Sequence, residues 1–216
     1  MARAITCTSR PPRLWPFLKE DNLLIIESTC PVGTTDKISD FILKERKDLI
    51  GKIFISYCPE RVLPGNILSE LKSNNRIIGG INKKSSELSR SFYSKFVNGE
   101  ILETDAKTAE LCKLAENSYR DLQISFANEL SIISEKLNIN VWDLINFTNK
   151  HPRVNILNPG VGVGGHCIAV DPWFLISAFK EDSKIIKTAR EQNLFKTDWC
   201  IKKIKDEINF VSKKLK

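Results

Sequence analysis

A chain of 216 residues with 42% hydrophobic and 27% charged side chains can bury a core and belongs to the ordinary globular class of one or two domains. No apolar run approaches the roughly 18 residues needed to cross a bilayer, so no membrane partner is expected. The net charge of +7, from 33 Lys and Arg against 26 Asp and Glu, favours anionic partners from nucleic acid to phosphorylated small molecules. Six cysteines, at 7, 30, 58, 112, 167 and 200, form neither a C-x-x-C pair nor a tight ladder, which argues against a disulfide framework or structural zinc and fits a reducing cytoplasm.

In chain order, the opening MARAITCTSRPPRL is basic, carries no acid and lacks the apolar core of a signal sequence. Residues 1–14 therefore read as a ragged terminus. NLLIIES (22–28) reads as a buried strand and TTDKISDFILKER (34–46) as a helix opened by Thr34 and Thr35. KIFISYC (52–58), NRIIGG (75–80) and EILET (100–104) read as further strands, with SSELSRSFYSKFV (85–97) as the helix between the last two. Strand, helix, strand in this repetition predicts a parallel sheet covered by helices, over residues 1–104.

From Asp105 the pattern changes. Leu111, Ala115, Leu122, Phe126, Leu130, Ile133 and Leu137 recur at three-, four- or seven-residue steps, predicting one amphipathic helix of about 30 residues capped by Asp105. A stripe on so long a helix suits a passage between domains or a subunit interface. A shorter helix follows over 142–149, and two more are predicted over roughly 172–180 and 184–211. The fold class is α/β: a partial Rossmann-like parallel sheet, then an all-helical domain over 105–216 with one long helix.

The stretch GVGVGGHCIAVDP (160–172) fits the spacing G-x-G-x-x-G at Gly160, Gly162 and Gly165. A dinucleotide loop needs a buried strand before it and a helix directly after it. Here Asn158 and Pro159 precede, and Pro172 suits the first turn of a helix beginning after Asp171. The fingerprint reading fails on that context, leaving glycines that let the backbone approach a ligand closely and present Cys167. For Cys167 itself two readings stay open: a nucleophile, or a small buried hydrophobe. Asp171 before Pro172 also reads as a helix N-cap, Lys113 as a solvated surface charge, and Glu60 as a surface ion pair. Lys113 and Asn117, four apart, share a helix face. Thr29 and Glu60 follow strands, at the edge where open parallel sheets bind ligands.

STCPVGTT (28–35), YCPERVLPGN (57–66), TAELCKLAENSYRD (108–121), FANELS (126–131) and HPRVNILNPGVGVGGHCIAVDPWF (151–174) together resemble the UDP-glucose/GDP-mannose dehydrogenase family, in order and at family spacing. The resemblance implies oxidation of the C6 alcohol of a UDP-amino-sugar to the carboxylate with NAD. It implies Cys167 as nucleophile, Glu60 as acid or base, Thr29 and Asp171 holding water, and Lys113 and Asn117 stabilising an oxyanion. Arg153, Asn155 and Gly160, Gly162, Gly164 and Gly165 match family positions that contact the nucleotide sugar, and Thr29 and Glu60 also lie where the cofactor is held. A homodimer through the long helix is the implied assembly.

Family members begin with a complete Rossmann half carrying G-x-G-x-x-G and end with a second such domain. Against that pattern this chain reads as a fragment, for which an inactive dimerisation remnant is the competing expectation. The lysine-rich tail (Lys202, Lys203, Lys205, Lys213, Lys214, Lys216) encircles a helix with an apolar face of Ile201, Ile204, Ile208 and Val211, which fits a solvated surface and not a nucleic-acid site. His151, His166 and Cys167 lack a zinc spacing signature, so no metal is expected.

Overall fold

In the computed structural model, which describes residues 4–5, 15–63 and 65–214, contacts divide the chain into two units, Met1–Lys113 and Leu114–Lys216. The division falls inside the long helix, nine residues beyond the change of pattern at 104/105 in the sequence.

The first unit is built on a five-stranded sheet in chain order: β1 (Ala4–Ile5), β2 (Leu23–Ile26), β3 (Phe54–Tyr57), β4 (Arg76–Gly80) and β5 (Ile101–Asp105). The four strands read from the sequence are all present. β1 falls within the stretch expected to be ragged, the rest of which lies outside the described residues. The β1–β2, β2–β3 and β4–β5 pairs are parallel. One pair departs from expectation: β3 and β4 are antiparallel, with Ser56 opposite Gly80 and Tyr57 opposite Gly79. Between them the chain makes only a short excursion through α2 (Ile67–Ser73), a helix the sequence reading missed, and re-enters the sheet at the edge it left. An antiparallel neighbour needs no crossover, whereas β5 is reached through the crossover helix α3 (Lys83–Tyr93) and runs parallel.

β2 and β3 are short apolar runs buried on both faces, as a helix-covered parallel sheet requires. Leu24, Ile26, Ile55 and Tyr57 pack with Ile42, Leu49 and Ile53; a second cluster gathers Ile25, Cys58, Ile78, Tyr93 and Val97. Helix α1 (Thr34–Glu45) starts where the sequence places it, but its N-terminus is not capped by its own threonines. Gly33 precedes it in a left-handed conformation, and the fully buried Glu110 carboxylate accepts from Gly33 N at 2.5 Å, Thr35 N at 2.7 Å and Thr35 Oγ1 at 2.7 Å. Orphan amides and the positive end of the helix dipole both favour an anion there.

Helix α4 (Ala106–Lys136) is 31 residues long and is capped by Asp105, whose carboxylate accepts from Thr108 N at 3.0 Å and Thr108 Oγ1 at 2.6 Å. In the second unit it is joined by α5 (Val141–Thr148), α6 (Asp171–Ala178) and α7 (Lys184–Lys214), with α6 packed on α7. The apolar stripe read on α4 is not buried: Leu111, Phe126, Ile133 and Leu137 are exposed, and Leu122 and Leu130 only half-buried. Asn117, Ser118, Asp121, Ser125 and Asn128, on another face of α4, are buried instead. Residues 201–214 of α7 are exposed throughout.

Candidate active site

Residues 158–170 form neither helix nor strand and carry Cys167, which is exposed. Exposure removes the buried-hydrophobe reading of this thiol. The Cys167 carbonyl accepts from Val170 N at 3.0 Å and Asp171 N at 2.9 Å, so the cysteine sits in the turn that leads into α6. Two of the glycines are there for conformational reasons, since Gly162 and Gly165 hold φ values of +124° and +87°. At Gly162 the backbone also presses on α7, where an added Cβ would meet Thr197 Oγ1 and lie 2.8 Å from Asn193 O. Gly160 and Gly164 face open space, and Arg153 and Asn155 are exposed on the approach to the loop.

Asp171 is the first residue of α6, with Val170 at the N-cap position and Pro172 behind it. Its buried carboxylate accepts from Asn117 Nδ2 at 2.5 Å, across the second unit. Two residues singled out 54 positions apart in sequence are thus directly bonded. Lys113 lies one helical turn before Asn117 on α4 and is half-buried.

In the first unit, β2 and β3 end side by side. Cys58 N donates to Ile26 O at 2.9 Å and Glu60 N to Glu27 O at 3.2 Å, so Thr29 and Glu60 follow neighbouring parallel strands at the carboxyl edge of the sheet. Glu60 is no surface ion pair. Its Oε2 accepts from Nη1 of the buried Arg76 at 3.1 Å, and its Oε1 from Arg61 N at 2.6 Å and Val62 N at 2.9 Å. Burial is the largest single influence and works against the Arg76 charge, yet the field and hydrogen bond of Glu60 together with Cys58 and Tyr93 outweigh it, and the guanidinium is held above its ordinary value. Beside this pair Tyr93 OH donates to Glu27 Oε1 at 2.6 Å beneath the Arg76 cation, and burial pushes the Cys58 thiol up to about 11. Cys58 is a buried core thiol, whereas Cys167 is exposed.

The halves of the chain match, in order, two models of one family. Residues 8–97 match the NAD binding domain of the UDP-glucose/GDP-mannose dehydrogenase family, and residues 107–194 its central domain. The chain belongs to the UDP-glucose/GDP-mannose dehydrogenase family. Among dehydrogenases of this family it is 54% identical over 199 residues to the UDP-N-acetyl-D-mannosamine dehydrogenase of Campylobacter jejuni, covering 88% of this chain and 49% of that protein. It is 50% identical over 198 residues to the NDP-N-acetyl-D-galactosaminuronic acid dehydrogenase of Ralstonia nicotianae, covering 88% and 47%. The UDP-D-ManNAc dehydrogenase structure from Pyrococcus horikoshii superposes with a TM-score of 0.85 at 38% identity, over 92% of this chain and 48% of that one. The chain spans about half the length of the curated relatives it matches.

Several buried residues around these segments escaped the sequence reading: Arg76 behind Glu60, Glu110 bonded to the start of α1, and Asp121, Asn128, Arg190 and Asn193 behind the glycine loop. For the α4 members a signal existed. Asn117, Asp121, Ser125 and Asn128 recur at four-, four- and three-residue steps, a polar stripe as regular as the apolar one. For Arg76, Glu110 and Arg190 nothing local distinguishes a buried charge from a surface one.

Proposed function

We propose that this chain takes part in the NAD-dependent oxidation of the C6 alcohol of a UDP-sugar, UDP-N-acetyl-D-mannosamine, to the uronic acid by way of a covalent adduct on Cys167. The observation that carries the reading is an exposed thiol on a glycine loop, in the turn before an aspartate that is buried and bonded to Asn117. A bare core cysteine would have none of this company. Identity favours the mannosamine sugar over its galactosaminuronic counterpart, 54% against 50%.

Two NAD molecules, bound in turn, would each accept one of the two hydrides that a four-electron oxidation releases. The donor set at the sheet edge suits the cofactor: β2 and β3 end in parallel, and Thr29 and Glu60 offer a hydroxyl and an anchored carboxylate. The chain's own residues supply the rest. After the alcohol is oxidised to the aldehyde, the Cys167 thiolate adds to C6 and forms a thiohemiacetal. Loss of the second electron pair leaves a thioester, and water cleaves it to the carboxylate and the free thiol. Glu60 moves the proton to and from the reacting oxygen, with its second carboxylate oxygen fixed by Arg76. Lys113 and Asn117 stabilise the oxyanion of both tetrahedral adducts, and Thr29 and Asp171 hold the attacking water. Arg153, Asn155, Gly160, Gly162, Gly164 and Gly165 receive the nucleotide sugar, with Arg153 matched to phosphate or hydroxyl acceptors.

The exposed stripe on α4 supports a homodimer through that helix, since a surface this apolar is covered in the working assembly. The test is NADH absorbance on mixing the purified chain with UDP-N-acetyl-D-mannosamine and NAD. Turnover that drops by about a thousandfold in acid product on Cys167→Ser supports the covalent route. A flat trace from the unaltered chain overturns autonomous catalysis and leaves the dimerisation remnant as the better reading.

A further inference from the structure

The glycine loop is fastened to the helices behind it by polar side chains, the buried Asn128 and Arg190 and the exposed Thr197, that no part of the reaction itself calls for. Gly160 N donates to Asn128 Oδ1 at 2.8 Å, Thr197 Oγ1 donates to Val161 O at 2.9 Å, and Arg190 Nη1 donates to Ile168 O at 3.3 Å. The last of these bonds is made by the residue directly after Cys167. The anchors are themselves tied together. Asn128 Nδ2 donates to Asn193 Oδ1 at 2.8 Å, Asn193 Nδ2 donates to Asp121 Oδ1 at 2.8 Å, and Arg190 Nη1 meets that same Asp121 oxygen at 3.0 Å. Asp121, Asn128, Arg190 and Asn193 are each no more than 1% exposed.

As a stability device this arrangement is poor. Desolvating an ion pair costs several kcal/mol per charge by the usual order of magnitude, recovered only if the remaining polar atoms are satisfied. Here Asp121 Oδ2 and Arg190 Nε and Nη2 are buried without a hydrogen-bond partner among the described residues. Packed apolar side chains would join α4 to α7 at lower cost. What apolar side chains cannot do is grip a carbonyl in a loop with no secondary structure of its own and hold it in one direction.

We propose that Arg190, held by Asp121, is a positioning residue for Cys167: its grip on the Ile168 carbonyl fixes the thiol so that the aldehyde is captured before it escapes. The proposal rests on the reading of Cys167 as nucleophile. Arg190 touches no reacting atom and acts only through the loop backbone. Asp121 orients the guanidinium, and Asn193 and Asn128 extend the same frame to the other end of the loop at Gly160.

Two variants of the purified chain test it, Arg190→Lys and Asp121→Asn. The first keeps a cation beside Asp121 but puts its nitrogen on a side chain one atom shorter and without the rigid guanidinium plane that holds Nη1 on both acceptors, and the second keeps shape while removing the charge that orients Arg190. Hydrogen exchange read by mass spectrometry is expected to quicken about tenfold or more in residues 160–170 while α4 and α7 keep their protection. With UDP-N-acetyl-D-mannosamine and NAD, the ratio of aldehyde trapped by hydroxylamine to acid formed is expected to rise about tenfold, a partition that a smaller folded fraction would leave unchanged. An unchanged loop exchange, an unchanged partition, or loss of α4 and α7 protection together with the loop in both variants each overturns the proposal. If the unaltered chain produces no NADH, the dehydrogenase reading falls on its own, and the exchange measurement alone decides whether Arg190 holds the loop.

Discussion

The two units distribute polarity in opposite senses. In the first, Leu24, Ile26, Ile42, Ile53, Ile55 and Ile78 fill the interior, and both apolar clusters of the described residues belong to it. In the second, the buried face of α4 carries Asn117, Ser118, Asp121, Ser125 and Asn128, facing Asp171, Arg190 and Asn193, while Tyr119, Phe126, Leu137, Trp142 and Phe147 are exposed. A sheet half built this way draws its stability from apolar burial. The helical half uses its interior to fix a loop and leaves apolar surface outside. The two interiors thus differ more than a single composition of 42% hydrophobic residues suggests.

The largest expected effect exploits a polar exception in the first unit, the fully buried carboxylate of Glu110. Glu110→Ala strips the partner from Gly33 N, Thr35 N and Thr35 Oγ1 at once and leaves the first turn of α1 uncapped. Each buried donor left unsatisfied costs about 1–3 kcal/mol, so a loss of at least about 3 kcal/mol of unfolding free energy is expected in urea titration. A loss below about 1 kcal/mol would mean that water replaces the carboxylate, and that this unit tolerates polar defects as readily as the other.

Nothing in the sequence around Glu110 marks it as buried. The strands at 22–28, 52–58, 75–80 and 100–104, the helices and the Asp105 cap follow from local rules: apolar runs, 3.6-residue periodicity and a capping carboxylate. The antiparallel β3–β4 pair does not, because strand direction depends on where the connecting chain returns, and a seven-residue helix gives no sign of that. Cys167 and Asp171 were visible through unusual neighbours, glycines on one side and proline on the other. Arg76, Glu110 and Arg190 look like surface charges in a 27% charged chain, and only tertiary contacts reveal them as buried. The stripe on α4 was read correctly as apolar, but periodicity alone does not tell which of two stripes faces inward.

A milder change measures the apolar interior directly. Ile55 is fully buried between the sheet and its covering helices, and Ile55→Val removes one methyl group there. A loss of about 1 kcal/mol is expected, read as a shift of the urea midpoint at constant slope. A change near zero would show that the sheet unit can relax around a void, and the contrast between the units would narrow.

The smallest effect on stability is expected at Phe126, and it sharpens the comparison from the other side. The ring is 53% exposed, so Phe126→Ser removes little that the isolated chain buries, and unfolding free energy should move by less than about 0.5 kcal/mol. Self-association is a separate quantity. Aromatic anchors near the middle of an interface carry a large share of its energy, and Phe126 lies midway along the stripe from Leu111 to Leu137. If α4 pairs with its twin, the same substitution weakens dimerisation by at least about tenfold in sedimentation equilibrium, about 1.4 kcal/mol. Equal loss in both measurements would place the ring in the core of its own unit. No loss in either would leave the stripe without a partner of its own kind, and the exposed apolar face would then need an occupant other than a second copy of this chain.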